Sequence, residues 1–242
     1  MSSNETVSEP QRRRERPAQP ALTRQSIIDV ALAILRAEGL GKVTMRRIAA
    51  ALDTGPASLY VYIRSTEDLH AQLLDALLGS AAAPISTDGS WKERLAEALT
   101  WYMRILFDYP DIARLTLFNW PTGPNYFAFI DLLLVLLTEG GVPDRDAAWA
   151  VDLLLQFATV TATEQGARKA SSRAAEAMSA LTAAIASAAP ATYPQIARLG
   201  DELLSGDGAT RFAWGLEVLI SGILATRRPP TAQEPRSPYR RT

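Results

Sequence analysis

The amino-acid sequence predicts an all-α protein made of two helical domains. Apolar residues recur at intervals of three and four through most of the chain, which is the spacing of one helix face. Proline and glycine residues divide these periodic segments into short units. No segment shows the sustained alternation of apolar and polar residues that is typical of a half-buried strand.

The two ends of the chain are predicted to be disordered. Residues 1–21 and 229–242 are polar, rich in proline and without apolar periodicity, so they have too little apolar surface to form a packed core. The N-terminal segment, which we call the arm, carries three consecutive arginines, Arg12, Arg13 and Arg14.

Composition excludes several kinds of site. The chain has no cysteine, which rules out disulfides and thiolate metal sites and fits a cytoplasmic location. The arm has no apolar stretch of the signal-peptide kind. The longest apolar run, residues 126–141, contains Asp131 and is too short to span a bilayer, so no membrane partner is expected. His70 is the only histidine; we expect no metal site and interpret His70 as a partly exposed structural residue.

Positive charge is concentrated near the N-terminus. The whole chain has 25 basic and 26 acidic residues, but residues 11–66 contain ten Arg or Lys and only four Asp or Glu. This asymmetry favours a polyanion bound at the N-terminal end. Chance clustering is the alternative, because four of these cations belong to the single arginine tract of the arm.

A single apolar stripe predicts the first helix. Its members recur with helical spacing: Ile27, Val30, Ala31, Ile34 and Leu35. Thr23 can cap the start of this helix and Gly39 its end. A second helix is expected after Thr44, a natural N-cap residue, with an inward face formed by Ile48, Ala49 and Leu52.

The following segment predicts a helix-turn-helix unit. Residues 53–55 break the second helix, and Pro56 suits the first position of a short helix that ends near Arg64. Leu59 and Ile63 lie four residues apart and must face inward onto the first two helices. The residues left on or near the outer face are Pro56, Ala57, Ser58, Tyr60, Val61 and Tyr62. A short helix of this kind can enter the major groove of DNA.

We expect this unit to form a first domain at residues 22–68, followed by a larger helical domain at residues 69–228. Ser65 and Asp68 have the spacing of a capping box and start a helix with a leucine-lined face. Seven further helices are predicted at 91–108, 111–119, 124–139, 144–169, 172–188, 191–204 and 209–227.

Residues 26–77 combine these features in a specific order. The first helix ends in Glu38-Gly39, and Val43-Thr44-x-Arg46-x-Ile48-Ala49 follows. Then come Leu52-x-x-Gly55, Leu59-Tyr60-x-Tyr62-Ile63 and Ser65-x-x-Asp68-Leu69. This segment resembles the N-terminal DNA-binding domain of the TetR family of transcriptional regulators. Beyond it, the chain is similar to the family only in helical plan, in length and in its final apolar helix.

The resemblance implies specific contacts with double-stranded DNA. Thr44 would bind a phosphate, and Arg46 would reach a phosphate or a base. The recognition face would consist of Pro56, Ala57, Ser58, Tyr60 and Tyr62. Thr66 stands where many family members have a phosphate-binding lysine, so this contact is expected to be weaker. The arm arginines would enter the minor groove; a solvated tail is the alternative.

Two predicted helices of the larger domain, at 144–169 and 209–227, are apolar over more of their circumference than a surface helix requires. Pairing with the same helices of a second copy would bury both sides, which predicts a homodimer. Inner helices of a monomeric bundle are the alternative. The residues expected at the dimer interface are Trp149, Leu153, Leu216, Leu219, Ile220 and Ile223.

Aromatic residues cluster between residues 101 and 129, and a few polar residues accompany them. Each aromatic residue alone is compatible with core packing, but as a set they suggest a pocket for a small apolar or aromatic effector. The expected pocket residues are Trp101, Phe107, Phe118, Trp120, Phe127, Gln156, Phe157 and Thr159.

The sequence therefore predicts a ligand-responsive DNA-binding regulator, with the resemblance favouring a homodimeric repressor. No phosphate-binding glycine loop, nucleophile elbow or other catalytic signature is present, so we expect neither enzymatic activity nor a cofactor. Two alternatives remain: a DNA-binding regulator without a small-molecule effector, and a helical enzyme or carrier.

Overall fold

The computed structural model describes residues 22–80, 86–118 and 121–229. Within these ranges the chain forms eleven α-helices and one 3-10 helix, without a strand, which confirms the all-α class. The predicted arm with Arg12, Arg13 and Arg14 lies outside the described residues, as do Trp120 and the tail from residue 230.

The helices follow one another through short connections. In chain order they are α1 (Arg24–Glu38), the 3-10 helix (Leu40–Lys42), α2 (Met45–Ala51), α3 (Pro56–Leu59), α4 (Thr66–Ser80), α5 (Trp91–Asp108), α6 (Pro110–Thr116), α7 (Pro124–Glu139), α8 (Asp144–Ala170), α9 (Ala174–Ala186), α10 (Pro194–Leu204) and α11 (Gly208–Ala225).

The predicted cap residues of the first two helices occupy those positions. The Thr23 hydroxyl accepts a hydrogen bond from the Ser26 backbone N–H at 3.0 Å, and the Ser26 hydroxyl accepts one from the Thr23 N–H. Gly39 ends α1 with a φ of 83°, in the left-handed region that favours glycine. The Thr44 hydroxyl accepts from the Arg47 N–H at 3.2 Å and so starts α2.

The break predicted at residues 53–55 forms the turn between α2 and α3, and its glycine is not the residue with the left-handed backbone. The left-handed residue is Asp53, with a φ of 49°, whereas Gly55 has an ordinary φ of −83° and is the N-cap of α3. Aspartate tolerates this conformation better than most residues. The chain reversal therefore depends on Asp53, and the role of Gly55 is to begin the next helix.

Helix α3 is shorter than predicted. The sequence predicted a helix to near Arg64, but α3 ends at Leu59 and residues 60–62 form turns. Tyrosine and valine lose side-chain freedom in a helix, which weakens its continuation here. Leu59 and Ile63 are both fully buried, and this burial holds the segment against the core as predicted.

Helix α4 connects the N-terminal helices to the rest of the chain. It contacts α1 on one side and α5, α6 and α7 on the other. The predicted inner face is buried and consists of Leu69, Leu73, Leu74, Leu77 and Leu78. The capping box is incomplete: the Ser65 hydroxyl accepts from the Asp68 N–H, but the Asp68 carboxylate accepts from the Arg64 N–H at 2.8 Å. The predicted domain boundary at residue 68 falls inside α4.

The larger helical part is organised around α8, which contacts α5, α6, α7 and α11. Its buried positions are apolar or small, apart from Thr159. Helices α9 and α10 pack mainly on each other and contain no buried residue. They form a hairpin between α8 and α11 that adds little to the core.

His70 lies half-buried on α4, where it faces a narrow space beside Ile112 and Thr116 of α6. Burial lowers the pKa of His70 below its ordinary value of about 6.5, and the nearby Glu67 carboxylate opposes this effect. The unfolded chain therefore binds a proton at this histidine more readily than the folded chain does.

We expect this difference to make the folded state less stable as the pH falls through and below about 6.5, because protonation then favours the unfolded chain. In His70→Gln, the free energy of unfolding should decrease less between pH 7 and pH 5 than in the wild type. Urea unfolding at several pH values measures this, and no other histidine contributes. Parallel pH profiles for the two proteins would contradict the assignment.

Candidate nucleic-acid interface

The segment of α3 and its following turn presents a continuous exposed surface. Pro56, Ala57 and Ser58 are exposed at the start of α3, and Tyr60 follows with 54% of its surface exposed. The small N-terminal side chains leave the backbone accessible, while the tyrosine hydroxyl projects as a donor and acceptor. We call Thr44, Arg46, Pro56, Ala57, Ser58 and Tyr60 the recognition surface.

The two tyrosines have different environments. Tyr60 lies outside the core, whereas Tyr62 is half-buried and packs against it. Val61, between them, is 80% exposed. Helical geometry had placed both tyrosines outside, but the chain leaves the helix at Leu59, and the turn directs part of the Tyr62 ring inward. Tyr62 therefore contributes to packing as well as to the surface.

The two adjacent arginines of α2 also differ. The Arg47 guanidinium forms an ion pair with the Glu38 carboxylate at 2.7 Å. Arg46 is exposed and forms no ion pair with any residue that the structure describes. Arg46 is therefore available as a cation near Thr44, and its predicted contact with DNA stays a prediction. Thr66, the first residue of α4, is also exposed.

The predicted effector-pocket residues occupy several different environments. Trp101 packs on Phe129, with ring centroids 5.3 Å apart, and Phe107 lies under the Lys169 ammonium. Phe157 stacks on Phe212 of α11. Phe118 and Phe127 are 82% and 56% exposed. Phe118 and Phe127 therefore lie on the surface of the protomer and not in an interior pocket. The sequence could not predict this, because apolar spacing alone does not show which helix face is covered.

The interior between α5, α7 and α8 contains an aromatic and polar contact that the predicted pocket only partly included. The Tyr102 hydroxyl lies 3.3 Å from the Thr159 hydroxyl, and the Tyr102 ring stacks on Phe129. Burial raises the pKa of Tyr102 well above its ordinary value. Of these three residues, the prediction had named Thr159.

A groove of about 720 Å³ lies between α8 and α11. Its lining includes the predicted interface residues Trp149, Leu153, Leu219 and Ile223. Leu216 and Ile220, also predicted to lie at the interface, are instead buried within the protomer. They share the inward stripe of α11 with Phe212, and the exposed side carries Trp214 and Val218.

The end of α11 is fixed next to this groove. The Arg228 guanidinium lies 4.0 Å from the centre of the Trp149 ring, and the Arg228 backbone N–H donates to the Asp146 carboxylate. The neighbouring Arg227 approaches Asp146 at 3.7 Å. Half of the Trp149 surface is still exposed, so the contact orients this ring without covering it.

The described part of the chain contains neither a membrane-spanning helix nor a candidate metal site. None of its helices has the length and apolar character needed to cross a membrane. Its histidine, aspartate and glutamate residues do not form a group of three or more that could hold a metal ion.

Comparison with known proteins identifies both halves of the chain. Residues 27–73 match the family model described as bacterial regulatory proteins, tetR family, and residues 83–227 match the tetracyclin repressor-like C-terminal domain. An HTH-type transcriptional regulator of Saccharopolyspora erythraea is 27% identical over 216 residues, which cover 86% of each chain. The class D tetracycline repressor of Escherichia coli is 29% identical and covers 84% of this chain and 89% of its own.

Solved structures give the same result. The Streptomyces coelicolor TetR family protein ActR, in complex with actinorhodin, is 34% identical with a TM-score of 0.75, covering 85% of this chain and 96% of its own. Another complex of ActR contains (S)-DNPA. The exposed helix-turn-helix unit, the all-helical remainder of the chain (α5–α11, which we call the body) and the match over both domains all indicate the same family. This chain belongs to the TetR family of DNA-binding transcriptional regulators, not to a family of enzymes.

Proposed function

We propose that this protein is a homodimeric repressor that leaves a palindromic operator when it binds a small apolar or aromatic molecule. We further propose that it acts in the cytoplasm. The recognition surface is the observation that carries this proposal. The first three residues of α3 and Arg46 are exposed, while Leu59 and Ile63 of the same unit are fully buried. Rigid packing beneath an exposed polar surface suits a module that fits a groove.

The chemistry of the recognition surface suits the major groove. The Tyr60 and Thr44 hydroxyls and the Arg46 guanidinium can bind phosphate oxygens or base edges. The Ala57 methyl can contact a thymine methyl. Because only Tyr60 of the two tyrosines is largely exposed, we assign it the principal contact and Tyr62 a smaller one.

We expect Tyr60→Phe to weaken operator binding about two- to tenfold for each recognition surface bound, because one hydrogen bond is lost while the ring remains. Arg46→Ala should also reduce the dependence of affinity on salt, because about one counterion fewer is released for each recognition surface bound. The DNA probe is a fragment of the chain's own upstream region, or a sequence from random-site selection, titrated at two salt concentrations.

Matched controls lie away from the recognition surface. Tyr193→Phe removes a hydroxyl from a tyrosine that is 53% exposed on the α9–α10 hairpin, and Arg104→Ala removes an exposed cation of α5. Both should bind DNA like the wild type. Equal losses in the controls and the test variants would show that general charge or folding, and not the recognition surface, determines binding.

A dimer is supported by the apolar groove between α8 and α11. Trp149, Leu153, Trp214 and Val218 together expose a large apolar surface on two neighbouring helices. Such a surface is typical of an interface that a partner covers. A second copy with the same surface would bury both through a two-fold axis and place two recognition surfaces on one palindrome.

We expect Val218→Glu to convert the dimer to a monomer, because a charge would be buried on each side of the axis. Sedimentation velocity measures the change. Val135→Glu is the control, since Val135 is 54% exposed on α7 and does not line the groove, and it should leave the dimer intact. A wild-type chain that sediments as a monomer would contradict the interface.

An effector is supported by relatives that bind small molecules and by the aromatic residues of the body. The ActR structures contain actinorhodin or (S)-DNPA. In this chain, Trp101, Phe107 and Phe157 are half-buried and supply aromatic surface of the appropriate kind. An effector lowers DNA affinity only if it binds the DNA-incompatible arrangement more tightly than the DNA-bound one.

We expect actinorhodin or (S)-DNPA, used as probes, to lower operator affinity about five- to 150-fold, the range of typical coupling free energies. Trp101→Ala should reduce this effect without changing affinity for DNA alone. Unchanged DNA affinity with both compounds and with a broader set of aromatic compounds would favour the alternative of a regulator without a small-molecule effector.

A further inference from the structure

Helix α7 begins without a cap of its own. Its N-cap residue is Gly123, which has no side chain, and its first residue is Pro124, which has no backbone N–H. The first turn of a helix leaves backbone N–H groups without partners inside the helix, and a capping side chain normally binds them. In α7 that side chain comes from another helix.

Asp75 of α4 supplies the missing cap. One oxygen of its carboxylate accepts a hydrogen bond from the Tyr126 backbone N–H at 2.8 Å. The other accepts from the Asn125 side-chain amide at 3.0 Å, and the same amide donates to the Asp75 backbone carbonyl at 3.1 Å. Asp75 is only 8% exposed. A buried carboxylate is tolerated when its oxygens are hydrogen-bonded, and a helix N-terminus stabilises its negative charge.

Two glycines permit this close approach. A Cβ atom at Gly123 would overlap the Asp75 carboxylate, and one at Gly79 would lie 2.5 Å from the Asn125 amide nitrogen. Residues on α4 and at the start of α7 are thus both shaped for the same contact.

The contact lies between the part of the chain that carries the recognition surface and the body. Helix α4 starts directly after that surface, and α7 packs on α5 and α8. Apolar contact between α4 and α7 is not directional and tolerates sliding. The hydrogen bonds of Asp75 require one register and one angle between the two helices.

We propose that Asp75 is a positioning residue, which fixes the orientation of the N-terminal domain on the body by capping α7. Its consequence for DNA binding rests on the function proposed above, whereas the fixed orientation itself does not. When the cap is lost, α4 can take several angles against α7. The two recognition surfaces of a dimer then match the half-site spacing for only part of the time, which lowers affinity for a full operator.

Asp75→Asn tests this with almost no change in volume. An amide at position 75 can still accept from Tyr126, but its nitrogen then faces the donor nitrogen of Asn125. Reversal of the Asn125 amide would restore that contact and would place its oxygen against the backbone carbonyl of residue 75. Either arrangement loses at least one hydrogen bond.

Asp29→Asn is the matched control. Asp29 lies on α1 and lines the same cleft of about 590 Å³ as Asp75. It accepts a hydrogen bond only from Gln25 of its own helix among the contacts described. The control removes the same charge from the same cleft without touching α7.

The orientation can be measured directly, because the chain has no cysteine and introduced cysteines label cleanly. Ala33→Cys on α1 and Thr138→Cys on α7, both exposed, place one spin label on each domain. Double electron–electron resonance then gives the distance distribution within one chain. Dilution with unlabelled protein removes signals between chains.

We expect a narrow distribution for the wild type and for Asp29→Asn, and a broadened or shifted one for Asp75→Asn. Asn125→Ala keeps the Tyr126 contact and should give a smaller change, so it serves as the test if Asp75→Asn does not fold. Distributions that superimpose on the wild type in a folded variant would overturn the proposal.

DNA binding separates this proposal from the proposed function. Asp75→Asn should lower affinity for a two-half-site fragment at least about fivefold more than for a single half-site, because only the former needs a fixed orientation. Broadened distances with equal losses on both fragments would overturn the role in DNA binding. A wild type that binds no DNA would refute the proposed function, while the distances would still decide whether Asp75 fixes the orientation.

Discussion

The burial of α4 on two sides is the constraint on which the rest of the molecule depends. Its leucine face is almost completely covered, by α1 on one side and by the helices of the body on the other. The leucines hold this helix against both sets of partners, because each fully buried leucine contributes about 1.5–3 kcal/mol by leaving water, and the hydrogen bonds of Asp75, as proposed above, set its angle. The recognition surface, which directly precedes α4, therefore inherits its orientation from the body. For the regulator proposed above, α4 is the direct structural connection between an effector in the body and the recognition surface.

The role of each charged residue in this structure depends on its immediate neighbours. The N-terminal part of the chain is basic, but the ion pair of Arg47 with Glu38 occupies one of its cations, and Arg46 is left available. Asp75 shows the reverse case, in which a carboxylate in the interior is stabilised by the start of α7. Neither role can be assigned from net charge, since neighbouring residues of the same type differ in their partners.

The apolar faces of α8 and α11 are only partly covered within the protomer. Leu216 and Ile220 complete the core, and yet Trp149, Trp214 and Val218 remain outside. The hairpin of α9 and α10 also buries little within its own chain and exposes Met178 and Leu181.

The sequence by itself determined the helical class, most helix boundaries, the caps at Thr23 and Thr44 and the inward positions of Leu59 and Ile63. These features depend on residues within about one helical turn of each other, so local spacing is sufficient to predict them. Only the tertiary structure decided the early end of α3, the inward position of Leu216 and Ile220 and the exposure of Phe118 and Phe127. It alone revealed that Asp75 caps α7 through the backbone of Tyr126, which lies 51 residues further along the chain. Such contacts join elements that are distant in sequence, and apolar periodicity shows that a face is buried without showing what covers it.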